Sequence, residues 1–263
     1  LSGGLLHWRF HPKDYKAALK WYGLAAKQGH ARAQYYLGNI YAFGKGVPKD
    51  YTTAIKWYLK AAEQGRADAQ YLLGLMYASG KGVPKDYTTA IKWYLKAAEQ
   101  GDASAQFVLG NMYDRGRGVP KDYKTAIKWY LKAAEQGNAD AQYQLGYKYI
   151  RGQGVPKDSK IAIKWYLKAA EQGHADAQFY LGIGYLFGNG APKDSKVATK
   201  WFRKAAEQGN ADAQYQLGAM YDDGDGVSKD SKTALKWYLK AAEQGHTRTQ
   251  YYLGLKYAFG MGV

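Results

Sequence analysis

The segment AIKWYLKAAEQG and close variants of it return every 36 residues, with Trp21, Trp57, Trp93, Trp129, Trp165, Trp201 and Trp237 marking seven copies. A repeat of this length is one supersecondary unit that cannot bury its own apolar face, so neighbours must stack on it. The chain therefore reads as a solenoid and not as one irregular core. Seven units fill residues 12–263, the last of them incomplete, and form a single solenoid domain. Residues 1–11 read as a degenerate half unit: counting back from Gly44 and Gly46 gives Trp8 and Phe10, aromatics that would seal the end of the stack. The sequence given stops at Val263, where a second helix should follow. The expectation is that the protein continues or that its last helix stacks end to end on another molecule.

One unit, from Arg66 to Gly101, shows how the pattern folds. Ala69, Leu73 and Tyr77 form a stripe at helical spacing, with Gly74 beside it for the close approach of another helix. Gly80 and Gly82 end this helix A, and Pro84 cannot continue it. Asp86 is suited to cap helix B, whose Ala90, Trp93, Tyr94 and Ala97 are expected to face inward. Gly101 ends helix B, and Asp102 starts the next helix A, a role that Asn138 and Asn210 fill in other units. Both helices are about 13 residues, too short to persist without stacking.

The motif A-x-A-Q-[YF]-x-L-G-x-x-Y, then G-x-G-V-P-K-D, then A-x-K-W-Y-x-K-A-A-E-Q-G resembles the Sel-one-like repeat family, relatives of tetratricopeptide repeats with a longer internal loop. Ala69, Leu73, Gly74, Tyr77, Ala90, Tyr94 and Ala97 match the shared helix-pair signature, and the Gly80–Pro84 loop marks this variety. The resemblance implies an all-α, right-handed superhelical solenoid with helix A on its concave side. It also implies adaptor roles, in bacterial envelopes among other places, and so favours the periplasm or secretion over the cytoplasm. A cysteine-rich bacterial branch is linked to penicillin binding and β-lactam hydrolysis. This chain has no Cys, so that precedent transfers poorly. The lack of Cys also excludes disulfides and thiolate chemistry.

Positions identical in every unit are needed by the unit itself. The Gln column (Gln34, Gln70, Gln106, Gln142, Gln178, Gln214, Gln250) is expected to satisfy backbone groups between units. Positions that vary are candidates for recognition. One runs Asn39, Leu75, Asn111, Tyr147, Ile183, Ala219 and Leu255. Another runs Phe43, Ser79, Arg115, Arg151, Phe187, Asp223 and Phe259. Beside them lies the aromatic column Tyr35, Tyr71, Phe107, Tyr143, Phe179, Tyr215 and Tyr251. Rigid aromatics suit peptide binding at low entropic cost, but the same ladder also suits packing between helices.

The net charge of +16 comes mostly from helix B, where lysines such as Lys124, Lys128 and Lys132 share one face. Such a ridge attracts nucleic acid or anionic lipid, or simply faces solvent. The Trp residues are expected to point away from it. His30, His174 and His246 occupy the turn before helix A, where a capping role accounts for them. Asp222, Asp223 and Asp225 lack the spacing of a calcium loop. No catalytic triad, cofactor motif or metal set is evident. The expected function is a non-enzymatic scaffold or adaptor that grips a protein or peptide in the helix A groove. The alternatives are binding of an anionic surface or polymer by the lysine ridge, and an envelope cell-wall-fragment binder or hydrolase.

Overall fold

A computed structural model describes residues 14–260. The half unit expected at residues 1–11 lies outside the described residues. Among those described, the chain is helical with no strand. Helices of the B type are α1 (Tyr15–Lys27), α3 (Tyr51–Glu63), α5 (Tyr87–Glu99), α7 (Tyr123–Glu135), α9 (Ser159–Glu171), α11 (Ser195–Glu207) and α13 (Ser231–Glu243). Helices of the A type are α2 (Ala31–Phe43), α4 (Ala67–Ser79), α6 (Ala103–Arg115), α8 (Ala139–Arg151), α10 (Ala175–Phe187), α12 (Ala211–Asp223) and α14 (Thr247–Phe259). The helices fall into two compact units. One runs to Ala105 and includes Arg117–Val119; the other comprises Gln106–Gly116 and the chain from Pro120. Within each, successive helices pack as a solenoid of helix–loop–helix repeats.

Local chemistry sets the helix ends. Asp50, Asp86, Asp122, Asp158, Asp194 and Asp230 each accept a backbone N–H in the first turn of the following helix B. At the far end of helix A the chain enters the left-handed region. Gly80 (φ 73°) caps α4 with an N–H bond to Met76 O, and Gly82 (φ 75°) lies against the Tyr51 backbone, where a Cβ would overlap. The loop closes when Asp86 N–H donates to Tyr77 O at 2.9 Å.

The core runs both within and between repeats, each helix B packing on the helix A before it and the helix A after it. In the first unit Ala54, Ile55, Tyr58, Ala61 and Ala62 of α3 pack with Ala42 of α2 and with Ala69, Leu73 and Met76 of α4. In the second, Ala162, Ile163, Tyr166, Ala169 and Ala170 of α9 pack with Ala177 and Leu181 of α10. The helix A glycine makes the close approach possible. The ring of Tyr166 fills the space where a Cβ on Gly146 would sit 2.6 Å away, and Tyr94 and Phe202 do the same at Gly74 and Gly182. The Gln column crosses the junctions as expected. Gln142 donates to Ala134 O of the helix before it (3.0 Å) and accepts from Gln172 of the helix after it (2.7 Å). The same relay recurs at Gln34, Gln70, Gln178 and Gln214.

The tryptophans depart from expectation. Trp93 is half-buried, not inward-facing: its ring packs on the edge of the preceding core cluster. Its outer face is covered by Lys96, whose Nζ lies 4.5 Å from the ring centroid. Lys60, Lys132, Lys168, Lys204 and Lys240 clasp their own tryptophans at 4.3–4.9 Å. The four-carbon stem shields the indole while the ammonium stays in water.

Two outcomes follow. Gly146→Ala forces a methyl into the Tyr166 ring and lowers stability by about 1–3 kcal/mol. Gly254→Ala, with nothing within 4 Å of the added Cβ, does not, and gains helix propensity instead. Thermal melts of the two variants check this. Asp50, Asp86, Asp122 and Asp230 are held below the usual carboxylate range, chiefly by the hydroxyls of Thr53, Thr89, Thr125 and Thr233. A depressed carboxyl pKa contributes stability above its unfolded value and loses it as pH falls through the folded value. Thr89→Val therefore lowers the Tm at pH 7, and the gap to the parent closes once pH drops below the Asp86 pKa.

Candidate functional site

The three predicted columns run along helix A but have different surroundings. The aromatic column is half-buried and packs on the next helix B. Tyr35 meets Tyr58, Tyr71 meets Tyr94, Phe107 meets Tyr130, Tyr143 meets Tyr166, Phe179 meets Phe202 and Tyr215 meets Tyr238, with ring centroids 5.9–6.2 Å apart. Among the described residues no helix B follows α14, and there Tyr251 is 69% exposed. Of the two uses foreseen for this ladder, the geometry displays the packing one. Tyr143 also stacks on His174 at 4.6 Å, and burial pushes its hydroxyl pKa upward.

The column containing Asn39 varies partly for internal reasons. Asn39 Oδ1 accepts the buried Tyr58 hydroxyl at 2.8 Å, and Asn111 accepts that of Tyr130 at 2.9 Å. Ile183 packs on the cluster of Phe202, which carries no hydroxyl to satisfy. Tyr147 replaces the Asn in α8, and there the buried Tyr166 hydroxyl has no hydrogen-bond partner. Burial, with Tyr143 and Tyr180 nearby, raises its pKa, so it stays a neutral donor. Leu75 is 36% exposed, while Ala219 and Leu255 are half-buried.

The column at the end of helix A differs from both. Phe43, Ser79, Arg115, Arg151, Phe187, Asp223 and Phe259 are all exposed. In the first compact unit Phe43, Leu75 and Ser79 meet Tyr51, Lys49 and Lys81 around a hollow of about 380 Å³ floored by Tyr58, Leu72 and Met76. In the second, the Arg151 guanidinium lies over the Tyr147 ring at 5.4 Å. Phe43 and Phe187 are each 61% exposed.

The histidines act as caps. His30 and His174 accept at Nδ1 from Ala33 N and Ala177 N at 3.2 Å, and His246 accepts from Thr249 N. Nε2 of His174 and of His246 then faces Asp140 and Asp212. Among the described residues no group of three or more His, Cys, Asp or Glu is placed to hold a metal ion. No helix among them is long and apolar enough to cross a membrane.

Two buried ion pairs escaped the sequence reading. Lys148 of α8 pairs with Asp114 of α6 and donates to Gln153 Oε1 at 3.0 Å. Lys256 of α14 pairs with Asp222 of α12 at 2.7 Å. Asp222 is thus committed to a lysine, not to an acidic loop. The signal was a Lys where other units carry Ile40, Met76, Met112 or Met220, matched each time by an Asp 34 residues earlier.

These repeats belong to a known family. The Sel1 repeat matches residues 6–30, 31–65, 67–102, 103–138, 139–174, 175–210 and 211–246, and the chain is a member of the Sel1 repeat family. Such solenoids are commonly protein-interaction scaffolds, and the family is generally non-enzymatic. Among solved structures, the chain is 44% identical to c5321, a protective antigen of uropathogenic Escherichia coli with an SLR fold. The TM-score is 0.92, over 96% of this chain and 54% of that one. It is 38% identical to a Sel1 repeat protein from Oxalobacter formigenes, with a TM-score of 0.72 over 86% of this chain and 93% of that one. The chain thus spans about half the length of the E. coli antigen. None of the curated proteins matches it.

Removing one partner of a buried pair leaves a stranded charge. Asp114→Ala is therefore expected to cost about 3–5 kcal/mol. Adding Lys148→Met, the residue type that Met76 and Met220 place there, restores most of the loss. Urea unfolding of both variants measures the difference.

Proposed function

We propose that the chain is a protein-binding scaffold that recognises an extended peptide segment through the exposed face of helix A. One observation carries this reading. Among α2 to α12, the large apolar side chains left exposed are Phe43, Leu75 and Phe187, and all three lie in the two varying columns. Exposed apolar side chains flanked by polar ones are a usual mark of an interaction surface. No internal packing role accounts for them, whereas the aromatic ladder behind them is occupied in holding the helices. The neighbours differ by unit: Lys49 and Lys81 lie beside Phe43 and Leu75, and Arg151 beside Tyr147. A partner would therefore present apolar side chains with acidic neighbours.

The lysine ridge is the poorer site for a macromolecular partner. Each clasping lysine already rests on its tryptophan, and withdrawing it uncovers half-buried indole.

The test is selection of peptides from a displayed random library on the intact chain, followed by calorimetry. Phe43→Ser with Leu75→Ser, and separately Tyr147→Ser with Arg151→Ser, should weaken selected peptides by at least about tenfold while the melting curve stays cooperative; truncating central contacts typically costs more than 1 kcal/mol each. Peptides that bind all variants equally, or none selected, would sink the proposal.

A further inference from the structure

Helix α11 breaks the pattern of its type at three places. Where α3, α5, α7 and α9 carry Ile, Tyr and Leu, it carries Thr199, Phe202 and Arg203. The Phe has its explanation in Ile183. The other two changes act together on one spot. In α7 the buried Ile127 and the half-buried Leu131 fill the space beside the loop residue Val155, and in α9 Ile163 and Leu167 fill it beside Ala191. In α11 the shorter Thr199 turns its hydroxyl to Ser195 O at 2.8 Å, and the exposed Arg203 reaches toward α12. Its guanidinium donates to the Tyr221 hydroxyl at 2.5 Å and lies over that ring.

Beside these residues lies an open hollow of about 590 Å³. Val227 and Trp201, the latter also clasped by Lys204 at 4.3 Å, give it apolar walls, and Lys196, Lys200, Arg203 and Lys204 surround it against a single carboxylate, Glu207. Gly226 fixes one end, since its Cα packs on the first turn of α11 with no room for a Cβ beside Thr199 Oγ1 (2.7 Å). A volume of this size suits a small molecule, not a strand or helix of a partner. Four cations against one anion call for negative charge. The guanidinium, held by Tyr221, adds a planar donor that matches a phosphate or carboxylate better than an ammonium does.

We infer that this hollow is a binding site for a small free anion with an apolar body, such as an aryl phosphate or aryl carboxylate. The ring lies against Trp201 and Val227, and the charge lies between Arg203 and Lys200. The site is separate from the helix A face, and among the described B helices only α11 carries both departures.

Calorimetry with 1-naphthyl phosphate, inorganic phosphate and 1-naphthol tests it. The expected result is one naphthyl phosphate per chain, with the other two at least tenfold weaker. Thr199→Ile with Arg203→Leu restores residues that other units already carry, so the fold should hold. This variant, and Arg203→Leu alone, should lose at least tenfold in affinity with the thermal melt unchanged. Several equivalents bound per chain, or full affinity in the double variant, would assign the binding to the lysine ridge at large and overturn the site. Absence of binding would overturn it as well. A second arm uses vesicles containing phosphatidic acid. Binding to vesicles without binding to free naphthyl phosphate would replace the free ligand with a lipid headgroup, and so refute the assignment.

Discussion

A buried aromatic ring seated against a glycine is the contact on which the rest of this structure depends. Tyr166 over Gly146, with its counterparts in other repeats, sets how near helix B comes to the helix A before it. Every other interaction assumes that spacing. The Gln142 amide reaches both Ala134 O and Gln172 only if the three helices are held close, and Asn111 meets the Tyr130 hydroxyl only if the ring lies flat in the glycine notch. The ring alone buries much of the apolar area of a junction, and the polar relay adds direction to a contact that area does not orient.

Because each cluster takes its side chains from one helix B and its flanking A helices, stability is distributed over junctions. The repeat can therefore vary wherever a residue does not face a junction. This is where the candidate surface lies: the last position of helix A is exposed in every described unit and is occupied by Phe, Ser, Arg or Asp. Rigidity behind and freedom in front are suited to presenting a recognition surface without reorganisation.

The periodic part of this design was legible in the sequence. Helix lengths, Asp caps, glycine loops and the bridging Gln all follow from spacing, because each rests on residues near in sequence or repeated at one interval. Three features were not. Trp93 looked like a core residue because indole is apolar; its position is set by Lys96 one turn on, an amphipathic cover that hydrophobic periodicity does not register. The Asn39 column looked free to vary, whereas part of its variation answers a hydroxyl 19 residues later. Arg203 is not distinguished in the sequence, where it adds one basic residue to an already basic ridge. Its contact with Tyr221, 18 residues later, is set by the packing of α11 on α12 and not by spacing along the chain.

The Lys148–Asp114 pair has a consequence for how such an array can grow or shrink. Most junctions join interchangeable surfaces, so whole units could be gained or lost by recombination at little cost. This junction is keyed. Excising one period from Arg115 onward would leave Asp114 facing Gly184, and duplicating that period would set a second lysine against Ile150. Either event buries a lone charge. The pair therefore acts as an address within an otherwise repetitive sequence, fixing which unit follows which and preserving the order in which the differing surface residues are displayed.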